Sequence, residues 1–212
     1  LTQTTQALTD FADQAVEAAF ETALAPYLAS GKLPSDTRVF VIAMGKMGAC
    51  ELNYSSDIDL IVMFDDRSLG SWEAAHRRQI LARATRTATK ILNDVSQHGY
   101  VFRTDLRLRP DPSVTPICVG MTSALGYYES LGRTWERAAF IKARVCAGDG
   151  EAGSEFLSQM VPFVWRRHLD FAAIEEAHAL RLKIRTKTGA HGKIIVPGHD
   201  VKLGRGGIRE IE

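Results

Sequence analysis

The sequence predicts an α/β fold of the α+β kind. A mixed-sheet core spans about residues 37–120, after an N-terminal helix and connector over 1–36 and before a helical region over 121–212. Three observations carry this reading. Val39-Phe-Val-Ile-Ala43 and Leu60-Ile-Val-Met-Phe64 are unbroken apolar runs of strand length, the pattern of strands buried on both faces. Pro110-Asp-Pro-Ser-Val-Thr-Pro116 is a turn-rich break. Beyond Met121 the apolar residues recur at helical spacing.

Taken in order, the stretch from Thr9 to Phe20 opens on a capping residue and repeats apolar side chains at helical spacing, with Pro26 expected to stop it. Residues 29–37 are rich in Ser, Gly, Pro and Asp and read as a connector to the first strand. A long helix is expected from about Trp72 to Val95, with Leu81, Ala84, Ala88, Ile91 and Val95 as its apolar stripe. Its other face holds five Lys or Arg and no acid between Ala74 and Asn93; a solvated face and a docking face for an acidic partner both fit. The run from Tyr100 to Arg109 reads as a further strand, and Ile117 to Val119 as a short one. Helices are expected over 123–130, 133–145, 151–164 and 171–188. Within the second of these, Arg137, Ile141 and Arg144 share a face with Lys142 beside it, either a cationic patch or ordinary surface pairing.

The chemistry concentrates in Ser56-Asp-Ile-Asp-Leu60. Side chains alternate along a strand, so Asp57 and Asp59 share one face while Ile58, Leu60 and Val62 are buried on the other. Two acids aimed one way repel unless a cation lies between them, and magnesium suits, since it takes one or two carboxylates and completes its shell with water and phosphates. Two solvated acids on an edge strand are the plainer alternative, but the apolar run after them marks a central strand. Alternation along 100–109 puts Asp105, Arg107 and Arg109 on one face and Leu106 and Leu108 on the other, a third carboxylate with two guanidiniums beside it. Gly45-Lys-Met-Gly48 follows the first strand; Gly45 allows close backbone approach to a phosphate and Lys46 adds a point charge.

A strand ending in a glycine-containing turn, Asp-x-Asp on the next strand and a third Asp on a later one resemble the nucleotidyltransferase superfamily of DNA polymerase beta. Longer segments resemble glutamine synthetase adenylyltransferase: Gly45 to Leu60, Arg103-Thr-Asp-Leu-Arg-Leu-Arg-Pro110, Tyr127-Tyr128, Gly132-Arg-Thr-Trp-Glu-Arg137, Ile141-Lys-Ala-Arg144 and Lys202-Leu-Gly-Arg-Gly-Gly-Ile-Arg-Glu-Ile-Glu212. The similarity spans 39–212, and six segments in order are far more specific than a lone Asp-x-Asp. Ala49 and Cys50 stand where the family tends to have glycines.

The resemblance implies a DNA polymerase beta-like nucleotidyltransferase core. Members are longer, with two similar halves: the N-terminal one removes AMP from a tyrosine of glutamine synthetase by phosphorolysis, the C-terminal one attaches it from ATP. Trp135 to Arg144 and Gly206 to Glu212 resemble the adenylyl-removing half, so a fragment of that half is expected, in keeping with a start that lacks methionine. On this reading Asp57 and Asp59 hold a pair of Mg2+ ions and Asp105 is a third ligand or orients the nucleophile. Gly45, Lys46 and Ser56 position phosphate, with Arg107 and Arg109 near the same charge. Inorganic phosphate is the co-substrate, and glutamine synthetase and the signalling protein P-II are the partners. Adenylyl transfer from ATP, and a non-catalytic domain binding glutamine synthetase or P-II, are the other readings; the carboxylates do not separate the two directions of reaction.

Composition narrows the rest. With 26 Lys plus Arg against 25 Asp plus Glu the formal charge is +1, which offers no bulk attraction for nucleic acid or membrane. Cys50, Cys118 and Cys146 are odd in number without metal spacing and read as reduced residues of a cytoplasmic protein. No apolar run approaches the roughly 20 residues of a bilayer span. The six histidines have no zinc-like spacing, and Trp135, Trp165, Tyr127 and Tyr128 are expected to fill the helical core. Gly204-Arg-Gly-Gly207 reads either as a turn or as an anion-binding helix start.

Overall fold

Strand β2 (Ile58–Phe64) is paired on both edges and buried along almost its whole length. On one edge it pairs antiparallel with β1 (Val39–Ala43), in the register Val39 to Phe64 through Ala43 to Leu60. On the other edge it pairs in parallel with two short strands in succession, β3 (Thr104–Asp105) at its start and β4 (Cys118–Gly120) at its end. A fifth strand, β5 (Arg144–Gly148), closes the far side of β1 in antiparallel fashion. The result is a five-stranded sheet, mixed in direction as the sequence predicts, with β5 an addition to the strands expected from the sequence.

The computed structural model describes residues 2–70 and 73–165, and scattered positions between 174 and 208. Leu1–Trp165 makes one compact unit and Arg166–Glu212 a second. In the second, Gly204 N–H bonds the Asp200 carbonyl at 2.8 Å and Ile208 N–H that of Val201 at 2.9 Å, a turn at the glycine-rich segment. The helix expected over 171–188 falls largely outside the described residues.

Alternation decides which helices cover which face. Even-numbered Ile58, Leu60, Val62 and Phe64 join α1 (Thr2–Ala29) and α3 (Ala74–Asn93) in one apolar core. Odd-numbered Ile61 and Met63, with Phe40 and Ile42, pack against α4 (Met121–Ser130), α5 (Thr134–Phe140) and α6 (Gly150–Val164). Burial on both faces explains why β1 and β2 read as unbroken apolar runs. Among the described residues no helix is long and apolar enough to cross a membrane.

Several local expectations are corrected. Pro26 does not stop α1, which runs to Ala29; the proline carbonyl accepts from the backbone N–H and hydroxyl of Ser30, and packing on the sheet outweighs one missing amide. The buried stripe of α3 is Ile80, Leu81, Ala84, Ala88 and Leu92, while Ile91 is 41 % exposed and Val95 lies beyond the helix, 78 % exposed. The strand expected over 100–109 is only two residues long. The helix expected over 133–145 ends at Phe140, and the chain then extends into β5 because the open edge of β1 offers a full ladder of backbone partners. The cationic patch of Arg137, Lys142 and Arg144 therefore does not form: Arg144 pairs with Asp13 of α1 at 2.7 Å, Lys142 with Glu51 at 3.2 Å, and Arg137 lies over the Phe163 ring. Tyr128 is core, but Trp135 and Trp165 are 39 % and 61 % exposed.

Between β1 and β2 the short helix α2 (Gly45–Gly48) passes under the chain that leads into β5. A Cβ on Gly48 would lie 1.9 Å from the Lys142 carbonyl oxygen and 2.6 Å from that of Ala43, backbone atoms that cannot step aside. Gly48→Ala is expected to cost roughly 1–3 kcal/mol of stability, whereas Gly150→Ala, whose Cβ meets nothing within 4 Å, stays close to the parent. Thermal melts of the two variants check this.

Candidate active site

The ends of β1, β2 and β3 bring the three predicted carboxylates to one place. Asp59 is the second residue of β2, and Asp105, the second of β3, is its direct partner in the parallel ladder. Neighbouring strands lie about 4.8 Å apart, so the two side chains leave the sheet together. Asp57 precedes the strand by one residue, on the parity of Asp59. The Ile58 amide donates to the Arg103 carbonyl at 2.8 Å, which holds this entry to β2 against the entry to β3.

Glycine supplies the space. Gly45 turns the chain after β1 with φ of +54°, a left-handed conformation that favours glycine, and a Cβ there would stand 3.0 Å from Asp59 Oδ2. Lys46 follows in α2, half-buried, its carbonyl accepting from Glu51 N–H at 2.8 Å. Ser56, also half-buried, sits in a turn whose amide bonds the Asn53 carbonyl. Both flank the carboxylates without lining the open cleft of about 450 Å³ beside them.

That cleft is lined by Asp57, Thr89, Arg103, Thr104, Asp105 and Arg107, with Leu106 adding apolar surface. Each outer carboxylate carries a guanidinium. Arg103 donates through Nε to Asp57 Oδ1, through Nη1 to the Tyr100 hydroxyl at 2.6 Å and through Nη2 to the Ser55 carbonyl at 2.6 Å. Arg107 grips Asp105 with Nε at 2.9–3.0 Å from both oxygens, while its own backbone N–H bonds Oδ1 at 2.8 Å. That last bond is an Asx turn, and it ends the strand right after Asp105. The Arg107 guanidinium beside Asp105 holds this carboxyl below the usual carboxylate range despite partial burial. Arg107 is raised in turn, chiefly by Asp105, with Asp59 and Asp57 adding to the field. The hydrogen bond to Asp57 raises Arg103 likewise.

Arg109 is a correction. Alternation puts it beside Asp105, but the chain has left extended conformation by then. Its Nη1 bonds the Leu106 carbonyl at 2.8 Å and its Nη2 that of Pro112 at 3.0 Å, while burial lowers its pKa. It braces the excursion between β3 and β4 rather than facing the cleft. Conversely, Arg103, Tyr100 and Thr89 escape the sequence reading as site residues. For Arg103 the signal was available, because it has the same parity as Asp105 in the run 100–109. Thr89 gave none: its place in the cleft follows from the packing of α3.

Among the described residues no three His, Cys, Asp or Glu side chains are gathered tightly enough to hold a metal ion. The donors nevertheless fit a hard cation. Two ladder-paired carboxylates and a third two residues away provide oxygen ligands of the kind magnesium takes, and positive groups already sit on two of them. Seating an ion requires Asp57 and Asp105 to part from their arginines.

Residues 1–159 match the family model described as glutamate-ammonia ligase adenylyltransferase. The chain is 50% identical over 218 residues to a bifunctional glutamine synthetase adenylyltransferase/adenylyl-removing enzyme of Rhizobium meliloti (strain 1021), covering 99% of this chain and 22% of that protein. Proteins of the same description from Bradyrhizobium diazoefficiens (50% identical, 98% of this chain and 22% of the relative) and Mesorhizobium japonicum (48%, 99% and 22%) are similar to it. The chain thus spans about a fifth of the length of the curated relatives it matches. With three quarters of its residues inside the family model and its carboxylates in ladder register, the chain belongs to the glutamate-ammonia ligase adenylyltransferase family.

Proposed function

We propose that this chain is the adenylyl-removing centre of a glutamine synthetase regulator, cleaving AMP from an adenylylated tyrosine by metal-dependent phosphorolysis in the control of nitrogen assimilation. The observation that carries the reading is the Asp59–Asp105 register with Asp57 beside it, set in a chain whose relatives are named for acting on glutamine synthetase. An oxygen of inorganic phosphate attacks the phosphorus of the adenylyl group. The bond from phosphorus to the tyrosine oxygen breaks, and the products are ADP and tyrosine, which regains a proton.

Asp57 and Asp59 would hold magnesium, a pair of ions on this reading, and Asp105 would be a third ligand or orient the phosphate nucleophile. Bound magnesium would neutralise the phosphoryl oxygens and stabilise the attacking and leaving oxygens held in line. Gly45 gives Asp59 its clearance, Lys46 and Ser56 flank the phosphate, and Arg107 supplies a guanidinium at the cleft. Arg109 is turned instead onto the Leu106 and Pro112 carbonyls. Glutamine synthetase is the protein substrate and P-II a candidate effector. The three cysteines, all free, support a reducing cytoplasmic setting.

A purely binding domain has no use for two acids on one cleft with a third in ladder register beside them, since mutual repulsion costs stability that a binding surface need not spend. Transfer from ATP uses the same carboxylates, so the product identifies the reaction. Adenylylated glutamine synthetase, phosphate and magnesium are expected to release ADP; AMP would mean hydrolysis. Modification of unadenylylated glutamine synthetase with pyrophosphate release would mean the opposite direction.

Asp57→Asn and Asp59→Asn are expected to lower turnover and divalent-ion binding at least roughly 100-fold, measured by ADP release and by titration with Mn2+. Asp57 is 55 % exposed at the side chain and its partner Arg103 48 %, so the Asp57 variant should melt near the parent temperature. Near-parental turnover of Asp57→Asn would refute its assignment.

Asp105→Asn separates catalysis from architecture. The Arg107 side chain is 84 % exposed, so losing its partner strands no buried cation. The expected outcome is a melting temperature close to the parent with kcat lower by roughly 100-fold or more. A destabilised variant that still turns over would mean a structural role for Asp105.

A further inference from the structure

Among the described residues, exposed ion pairs occur at several places, Lys90–Asp94 and Arg67–Glu155 included, but only two of them lie at the cleft. Asp65, 4 % exposed at the side chain, is gripped by Arg67 with Arg38 nearby, and Asp149 is bonded by two nitrogens of Arg38; these pairs tie strand ends to helices away from the cleft. Asp57 and Asp105 instead carry Arg103 and Arg107, whose side chains are 48 % and 84 % exposed. Solvent supports an arginine that leaves such a pair, so separation costs little. Both arginines line the same cleft as both carboxylates. The planar guanidinium fork that grips a carboxylate is equally suited to phosphate oxygens.

A divalent ion taking Asp57 and Asp105 has to displace two cations, so alone it binds against competition. A phosphate that draws the guanidiniums to itself removes that competition and leaves both carboxylates to the metal. We propose that Arg103 and Arg107 are exchangeable counter-ions, surrendering Asp57 and Asp105 to a divalent cation as they take up phosphate oxygens, so that cation and phosphate bind with positive coupling. The inference rests on the metal-dependent reading above and assigns the coupling to these two side chains. Arg107 is the more mobile partner: its backbone N–H stays on Asp105 Oδ1 while its side chain turns. Arg103 is anchored by Tyr100 and Ser55, and its release also loosens the link between the loops on either side of Asp57.

The test is Mn2+ binding, followed by the paramagnetic resonance of the free ion, with glutamine synthetase absent so that nothing turns over. For the parent chain, saturating inorganic phosphate is expected to tighten Mn2+ binding by roughly tenfold, within the usual range of coupling between sites. A parallel series with AMP distinguishes a nucleotide phosphate from the free anion as the source of the effect. Arg107→Gln is expected to bind Mn2+ several-fold more tightly than the parent without phosphate, and to lose most of the phosphate enhancement. Arg103→Gln should do the same to a smaller degree, and because the Arg107 variant leaves the loop anchors untouched, it carries the test if Arg103→Gln folds poorly. If both variants bind Mn2+ no more tightly than the parent, or keep the full enhancement through direct contact of metal and phosphate, the proposal is overturned. A parent chain that binds no Mn2+ at any phosphate concentration overturns it together with the metal reading. Intact coupling without ADP release from adenylylated glutamine synthetase would sink phosphorolysis alone.

Discussion

The parallel pairing of β3 against the start of β2 is the interaction on which the site depends. It spans only two residue pairs, Ile58 with Thr104 and Asp59 with Asp105. A ladder this short holds its register only because its surroundings supply the rest. The Ile58 amide is tied to the Arg103 carbonyl, the Asn93 side chain at the end of α3 accepts from Thr104 N–H at 2.8 Å, and Leu106 is buried in the core shared by α1 and α3. A slip of one residue would turn Asp105 toward the core and bring Thr104 opposite Asp59. Carboxylates would then meet apolar side chains, so the register is enforced by the cost of burying an unpaired charge.

The same strand economy explains the sheet's odd construction. β3 and β4 run along one edge of β2 as a single interrupted strand, with an excursion between them braced by Arg109 and by the Thr115 hydroxyl on the Asp111 carbonyl. The interruption begins where the Asp105 side chain captures the Arg107 backbone N–H. One hydrogen bond therefore does two things: it ends the strand and turns Arg107 back over the carboxylate. On the opposite edge, β5 completes the pairing of β1 and carries Arg144 to Asp13, which fastens α1 to the sheet. Around β2 the half-buried Arg38 and Arg144 tie the sheet to its helices, while the cleft carries the exposed pairs of Arg103 and Arg107.

What the sequence determined by itself is whatever depends on near neighbours. The parity of Asp57 and Asp59 follows from the period of two along a strand, and the apolar runs of β1 and β2 follow from burial on both faces; both were legible, whereas of the strand bearing Asp105 the place was legible and the two-residue length was not. Arg103 shares that parity and could have been singled out by the same argument. Only the tertiary structure decided what depends on distant partners. Residues 144–148 became a strand because β1 had an open edge more than a hundred residues upstream, although the helical pattern before them runs on to Val145. Arg109 left the cleft because the chain turns after Asp105, a choice made by one side-chain hydrogen bond that no periodicity encodes. Thr89 reached the cleft because α3 packs under β3. Periodicity fixes which side of an element a residue faces; the packing of one element on another fixes what it meets there, and that is settled by backbone pairing and burial summed over the whole unit.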